Sequence, residues 1–264
     1  METMESSVRT MLRWRPSLDT SVAAGSGFVV LALSALMGRL IDHRPIISML
    51  LRDVAMLGLV GTLFPLWFIH HRRWRWGDFG LHTSGWQVYL VWNVVLGGML
   101  LGIFRLGRGG PWELTLDAHT LGCAFYIMLA GIFEVVFFYS FQLTIFEKAF
   151  GVVPAVLITA AFYSFHHMGF QTEFVKLFMV GLMYGSVYRL AGSVLIIYPF
   201  FWGVGALYDV MVQAQAIAPI AFPWFRSLGL IVFMAAALHW GKRRRGLSLF
   251  QEGEASLARS ESRS

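Results

Sequence analysis

Residues 86–104 read Trp-Gln-Val-Tyr-Leu-Val-Trp-Asn-Val-Val-Leu-Gly-Gly-Met-Leu-Leu-Gly-Ile-Phe, a run without a single Asp, Glu, Lys or Arg. A bilayer hydrocarbon core of about 30 Å takes roughly 20 such residues of α-helix to cross. Runs of the same kind recur at 20–38, 149–172 and 190–208. The 264-residue chain is 57% hydrophobic and 14% charged, whereas a soluble domain carries about 25% charged residues. That balance excludes a soluble enzyme, a nucleic-acid binder and a disordered protein. The fold class is therefore all-α, a polytopic membrane helical bundle. About eight transmembrane helices are expected, near 21–41, 46–70, 86–105, 119–147, 151–169, 174–190, 193–212 and 218–241.

The net charge of +6 reflects basic residues gathered at the ends of apolar runs, which is a topology signal and not a groove for nucleic acid. With the N-terminus inside, twelve Lys and Arg fall on the inner side (Arg9, Arg13, Arg15, Arg72, Arg73, Arg75, Lys148, Arg189 and Lys242 to Arg245). Five fall outside: Arg39, Arg44, Arg105, Arg108 and Lys176. The expectation is an even number of spans with both termini cytoplasmic, in a bacterial plasma membrane. The chain divides into a cytoplasmic segment 1–20, helices one to three over 21–118, a core of helices four to seven over 119–212, a last helix with a basic stop over 213–245, and a disordered tail 246–264. The single Cys123 makes no internal disulfide, and the closing Ser-Arg-Ser is no prenylation signal. The first apolar run is too long for a signal peptide.

A charge at the bilayer centre costs at least about 2.5–3.5 kcal/mol, so each needs a reason. Arg52, Asp53, Glu134, His166, His167, Asp209 and Arg226 lie inside apolar segments. Counted from the helix ends on one face, Glu134, His167, Asp209 and Asp53 are each roughly 21–25 Å deep at 1.5 Å per residue. They form one expected polar layer. Interhelical hydrogen bonding alone accounts equally well for Asp53 and Asp209. Glu134, with apolar neighbours on both sides and no adjacent basic residue, is the foremost catalytic candidate.

Three stretches carry a family resemblance: Phe-Glu-Val-Val-Phe-Phe-Tyr-Ser-Phe-Gln (133–142), Phe-Gly-Val-Val-Pro-Ala (150–155) and Ala-Phe-Tyr-Ser-Phe-His-His-Met-Gly (161–169). Together with 181–199 they resemble the CPBP family of CAAX-protease and bacteriocin-processing membrane proteins. The family's first motif is Glu-Glu-x-x-x-Arg. Glu134 matches its second Glu, while Phe133 and Phe138 stand for the first Glu and the Arg. The second motif, Phe-x-x-x-His, fits Tyr163 to His167 with Tyr for Phe, or Phe162 to His166 literally. The third motif's His is absent. Trp202 or Gly203 stands near its place, with Asp209 as the nearby carboxylate.

The resemblance implies an intramembrane endopeptidase with Glu134, His167 and His166 as catalytic residues. Glu134 would take a proton from water and His167 would donate to the oxyanion. Tyr163, Phe138, Trp202 and Asp209 would line the pocket. No cofactor is expected; a metal ion is possible but poorly supported, because zinc takes three protein ligands and two adjacent His on an α-helix point apart. The expected partners are the lipid bilayer and a peptide or membrane-protein substrate, not nucleic acid. The alternative is a catalytically degenerate member of the same fold with an immunity, scaffold or lipid-binding role. A proton-coupled transporter using Asp53, Glu134 and Asp209 is the third possibility.

Overall fold

The computed structural model describes residues 11–108, 117–169, 173–208, 222, 224–233 and 236. Among them all regular structure is helical. Six helices are long and apolar enough to cross a membrane: α1 (Leu18–Leu40), α2 (Pro45–His71), α3 (Trp86–Gly107), α4 (Ala118–Phe150), α5 (Val152–Gly169) and α6 (Phe174–Ala191). Two shorter ones follow, α7 (Phe200–Tyr208) and α8 (Trp224–Phe233). The protein is a polytopic helical bundle, an integral multi-pass membrane protein. Its outer surface carries many large apolar side chains. On α3, Val88, Val91, Met99 and Ile103 are all exposed, as lipid-facing positions are.

Local chemistry sets the helix ends. Ser17 caps α1 in a capping box with Thr20, and Pro45 opens α2, where its missing N–H is not needed. Gly151, at φ +86°, turns the chain between α4 and α5; a Cβ there would meet the Met11 backbone. Gly192, at φ +70°, closes α6 in the left-handed conformation that favours glycine.

Two of the long helices carry a stretch of wider winding. Residues Leu51–Leu63 of α2 and Val135–Gln142 of α4 are wound in the wider π form. There the Phe64 N–H donates to the Leu59 carbonyl and the Leu143 N–H to the Phe138 carbonyl, an i→i+5 pattern.

The single helix expected over 193–212 differs from the structure. After Gly192 the chain makes a short 3₁₀ turn at Val194–Ile196, passes Pro199, and only then enters α7 at Phe200. Proline lacks an N–H and clashes with the preceding turn of a helix, so the helix starts after it. Non-helical backbone at membrane depth needs partners for its polar groups. Asn93, fully buried on α3, supplies them: its Nδ2 donates to the Leu195 carbonyl at 3.0 Å. Its Oδ1 accepts from the Phe200 and Phe201 N–H groups at 2.8 and 3.1 Å. One amide side chain thus caps α7 and fixes where it begins.

Asp53 does not join the layer around Glu134. Its carboxylate takes a bidentate pair of bonds from Arg226 of α8, both 2.7 Å. The Tyr126 hydroxyl donates to it at 2.5 Å. The Arg226 guanidinium also lies 4.5 Å from the Tyr126 ring centroid. Tyr126 precedes Glu134 by eight residues, about 12 Å along α4. This buried triad ties α8 to α2 and α4.

Candidate active site

Glu134 is the last residue of the regular α-helical part of α4, just before the π stretch, and its side chain is 12% exposed. Each carboxylate oxygen faces a different helix. The Trp202 indole Nε1–H of α7 donates to Oε2 at 2.9 Å. On the other side, His166 Nε2 and His167 Nε2 of α5 stand 3.5 and 3.7 Å from Oε1. The Tyr163 phenol faces the same carboxylate.

Trp202 reaches this position because α7 lies close to α4. A methyl group on Gly131, one turn before Glu134, would overlap the Trp202 ring. The Tyr184 hydroxyl of α6 bonds the carbonyls of Phe201 and Trp202 at 3.3 and 3.5 Å. Tyr198 holds the start of α7 to α4 through the Met128 carbonyl at 2.9 Å.

The two histidines face one point, against the expectation that neighbours on a helix diverge. The reason is the change of helix type. At His166 the α-helix tightens into a 3₁₀ turn spanning His166–Gly169. The Tyr163 carbonyl then accepts from both rings, from His166 Nδ1 at 2.5 Å and His167 Nδ1 at 2.9 Å. A carbonyl oxygen has two lone pairs and only accepts, so both imidazoles carry their proton on Nδ1 when neutral. Both Nε2 atoms therefore present lone pairs to the carboxylate. The ring centroids are 3.8 Å apart. Ser34 of α1 supports the turn: its hydroxyl donates to the His166 carbonyl and accepts from the Gly169 N–H at 3.2 Å.

Phe138 is fully buried and packs against the His166 ring at 4.8 Å and edge-on to Tyr163 at 5.7 Å. An apolar wall stands where the resembled motif has an Arg. Arg52 of α2 lies over the Tyr126 ring, 5.2 Å from its centroid, about two turns of α4 from Glu134.

The structure thus brings Glu134, His166, His167, Tyr163, Phe138 and Trp202 into one cluster. Asp209 lies outside the described residues. Sequence reasoning placed Trp202 only in the pocket lining and missed Ser34. A Trp in an apolar run carries no sign of its hydrogen-bond partner, and Ser34 is one of many small residues on α1.

The carboxylate and imidazole atoms of Glu134, His166 and His167 lie within 4.8 Å of one another. They therefore fit a divalent cation as well as a water molecule. No curated protein and no solved structure matches the chain. Residues 116–207, which hold this whole cluster, match the family model described as Rce1-like, type II CAAX prenyl endopeptidase Rce1-like.

Proposed function

We propose that the protein is an intramembrane endopeptidase in which Glu134 activates water to hydrolyse a peptide bond. The carrying observation is the convergence of one buried carboxylate oxygen with two imidazole Nε2 lone pairs, while the other oxygen is fixed by Trp202. The family match over residues 116–207 supports the same reaction class.

A water molecule seated between Glu134 Oε1 and an Nε2 donates both protons to acceptors. Its lone pairs then point away, toward a scissile carbonyl. Glu134 takes a proton as the water oxygen attacks, and later passes it to the leaving amine. Sequence alone gives His167 the oxyanion. With Nδ1–H engaged by Tyr163, the histidine serves instead as an acceptor that positions water. The substrate is a peptide segment entering the bilayer, and both termini of the enzyme face the cytoplasm.

A second reading rests on the 4.8 Å cluster: Glu134, His166 and His167 are a three-ligand set of the kind that holds catalytic zinc. An ion there would lower the pKa of a bound water. The deciding experiment compares wild type with Glu134→Gln, purified in detergent, on a quenched fluorescent peptide library, with metal content measured by mass spectrometry on the same samples. The expected result is cleavage by wild type, a loss of at least about 10³-fold in Glu134→Gln, and no stoichiometric metal. Stoichiometric metal lost in Glu134→Gln moves the assignment to the second reading. Folded wild type that cleaves nothing overturns hydrolysis and leaves a scaffold or lipid-binding role.

A further inference from the structure

Hydrolysis by this cluster needs a hydrogen-bond donor for the oxyanion, and the donors nearest Glu134 are already engaged. The Trp202 N–H is on Glu134, both histidine Nδ1 protons are on the Tyr163 carbonyl, and Tyr184 bonds the α7 backbone. Tyr163 faces the carboxylate itself. Tyr139 is different. It is fully buried, and its hydroxyl has no hydrogen-bond partner among the described residues. A buried hydroxyl left unpaired weakens folding, so its retention calls for an explanation.

The backbone explains why Tyr139 belongs to the site. On a regular α-helix, a residue five positions after Glu134 would sit about 140° round the axis. The π stretch beginning at Val135 carries i→i+5 bonds and swings Tyr139 back toward the face of Glu134. The Tyr139 ring lies 5.8 Å from that of Tyr163, which is 5.1 Å from His167. It lies 6.0 Å from Tyr184, and the charge of Glu134 acts on it.

We infer that the Tyr139 hydroxyl is the oxyanion donor, a catalytic residue that meets its partner only when the carbonyl oxygen becomes negative. This rests on the endopeptidase reading above. As the water oxygen bonds to the carbonyl carbon, its proton goes to Glu134 and the carbonyl π electrons move to oxygen. The O–H of Tyr139 donates to that oxygen. The C–N bond then breaks as the carbonyl re-forms, and the proton on Glu134 leaves with the amine.

Tyr139→Phe in the full-length protein removes the unpaired hydroxyl and nothing else. Loss of an oxyanion donor costs about 10²–10³ in kcat. The expected result is that loss with KM within about threefold and a melting temperature equal to or above that of wild type. A merely structural tyrosine would not give slower turnover in a fold at least as stable. Full kcat in Tyr139→Phe overturns the inference, and so does a lost kcat with a lowered melting temperature. The endopeptidase reading is judged separately by wild type against Glu134→Gln. If wild type shows no Glu134-dependent cleavage, that reading fails and the oxyanion role falls with it. Active wild type with an unaffected Tyr139→Phe refutes the tyrosine alone.

Discussion

Replacing Trp202 with Phe keeps an aromatic ring against Gly131 and deletes the indole N–H that donates to Glu134 at 2.9 Å. Trp202 is 3% exposed, so bulk water does not take over the lost donation. A hydrogen bond to a charged group contributes about 1.5–3 kcal/mol net. The bond favours the ionised carboxylate, the form that takes the proton, so its loss makes that form scarcer by up to the same free energy. At about 1.36 kcal/mol per tenfold, kcat should fall roughly 10- to 150-fold.

The assay is turnover of a cleaved peptide in detergent micelles, alongside thermal unfolding. The same substitution made in Glu134→Gln separates charge from packing. There the acceptor is a neutral amide, and the stability difference between Trp and Phe should shrink to about 0.5–1.5 kcal/mol. A Trp202→Phe enzyme within threefold of wild-type kcat refutes the reasoning. A stability difference that is the same in both backgrounds refutes it too.

Two further substitutions test what holds the site in place. Asn93→Leu strands the Leu195 carbonyl and the Phe200 and Phe201 N–H groups, at about 1–3 kcal/mol for each group left unpaired. A lower melting temperature and slower turnover are expected together, because α7 carries Trp202; unchanged unfolding would dismiss Asn93 as the cap. Arg226→Met leaves the Asp53 carboxylate buried beside Tyr126, which should destabilise by about 3–5 kcal/mol. The double variant Asp53→Leu, Arg226→Met should recover most of that loss, and failure to recover would show that the triad is not an isolated charge pair.

The helices were legible because charge-free length is a direct reading of bilayer thickness. Glu134 was legible for the same reason, as a carboxylate with no local excuse for being in an apolar run. What stayed hidden was direction. Depth arithmetic put Asp53 in the same layer as Glu134, but Asp53 meets α4 at Tyr126, about two turns away from Glu134, and pairs there with Arg226. Adjacent histidines looked incompatible because 3.6-residue periodicity was assumed through His166. The break at Pro199 was open to view, since proline with a glycine seven residues earlier reads as a helix interruption. Uniform hydropathy across 190–208 masked it.

Three departures from α-helical winding converge on the candidate site: the π stretch after Glu134, the 3₁₀ turn at His166 and the late start of α7 after Pro199. Straight apolar helices present side chains at fixed intervals, so gathering a carboxylate, two imidazoles and an indole at one point requires local rewinding. Rewinding frees backbone carbonyls, and inside a bilayer each freed group needs a partner. Here the partners include the site itself. The Tyr163 carbonyl is satisfied by His166 and His167, and the His166 carbonyl by Ser34. The histidines therefore bond the broken backbone through Nδ1 while offering Nε2 to the reaction. Substituting either should lower stability and activity together, so a His→Ala phenotype cannot by itself distinguish catalysis from folding. Among the described residues, Trp202 and Tyr139 use no side-chain atom to satisfy the backbone. That makes Trp202→Phe and Tyr139→Phe the substitutions in which a change of rate, with the fold retained, reports on chemistry.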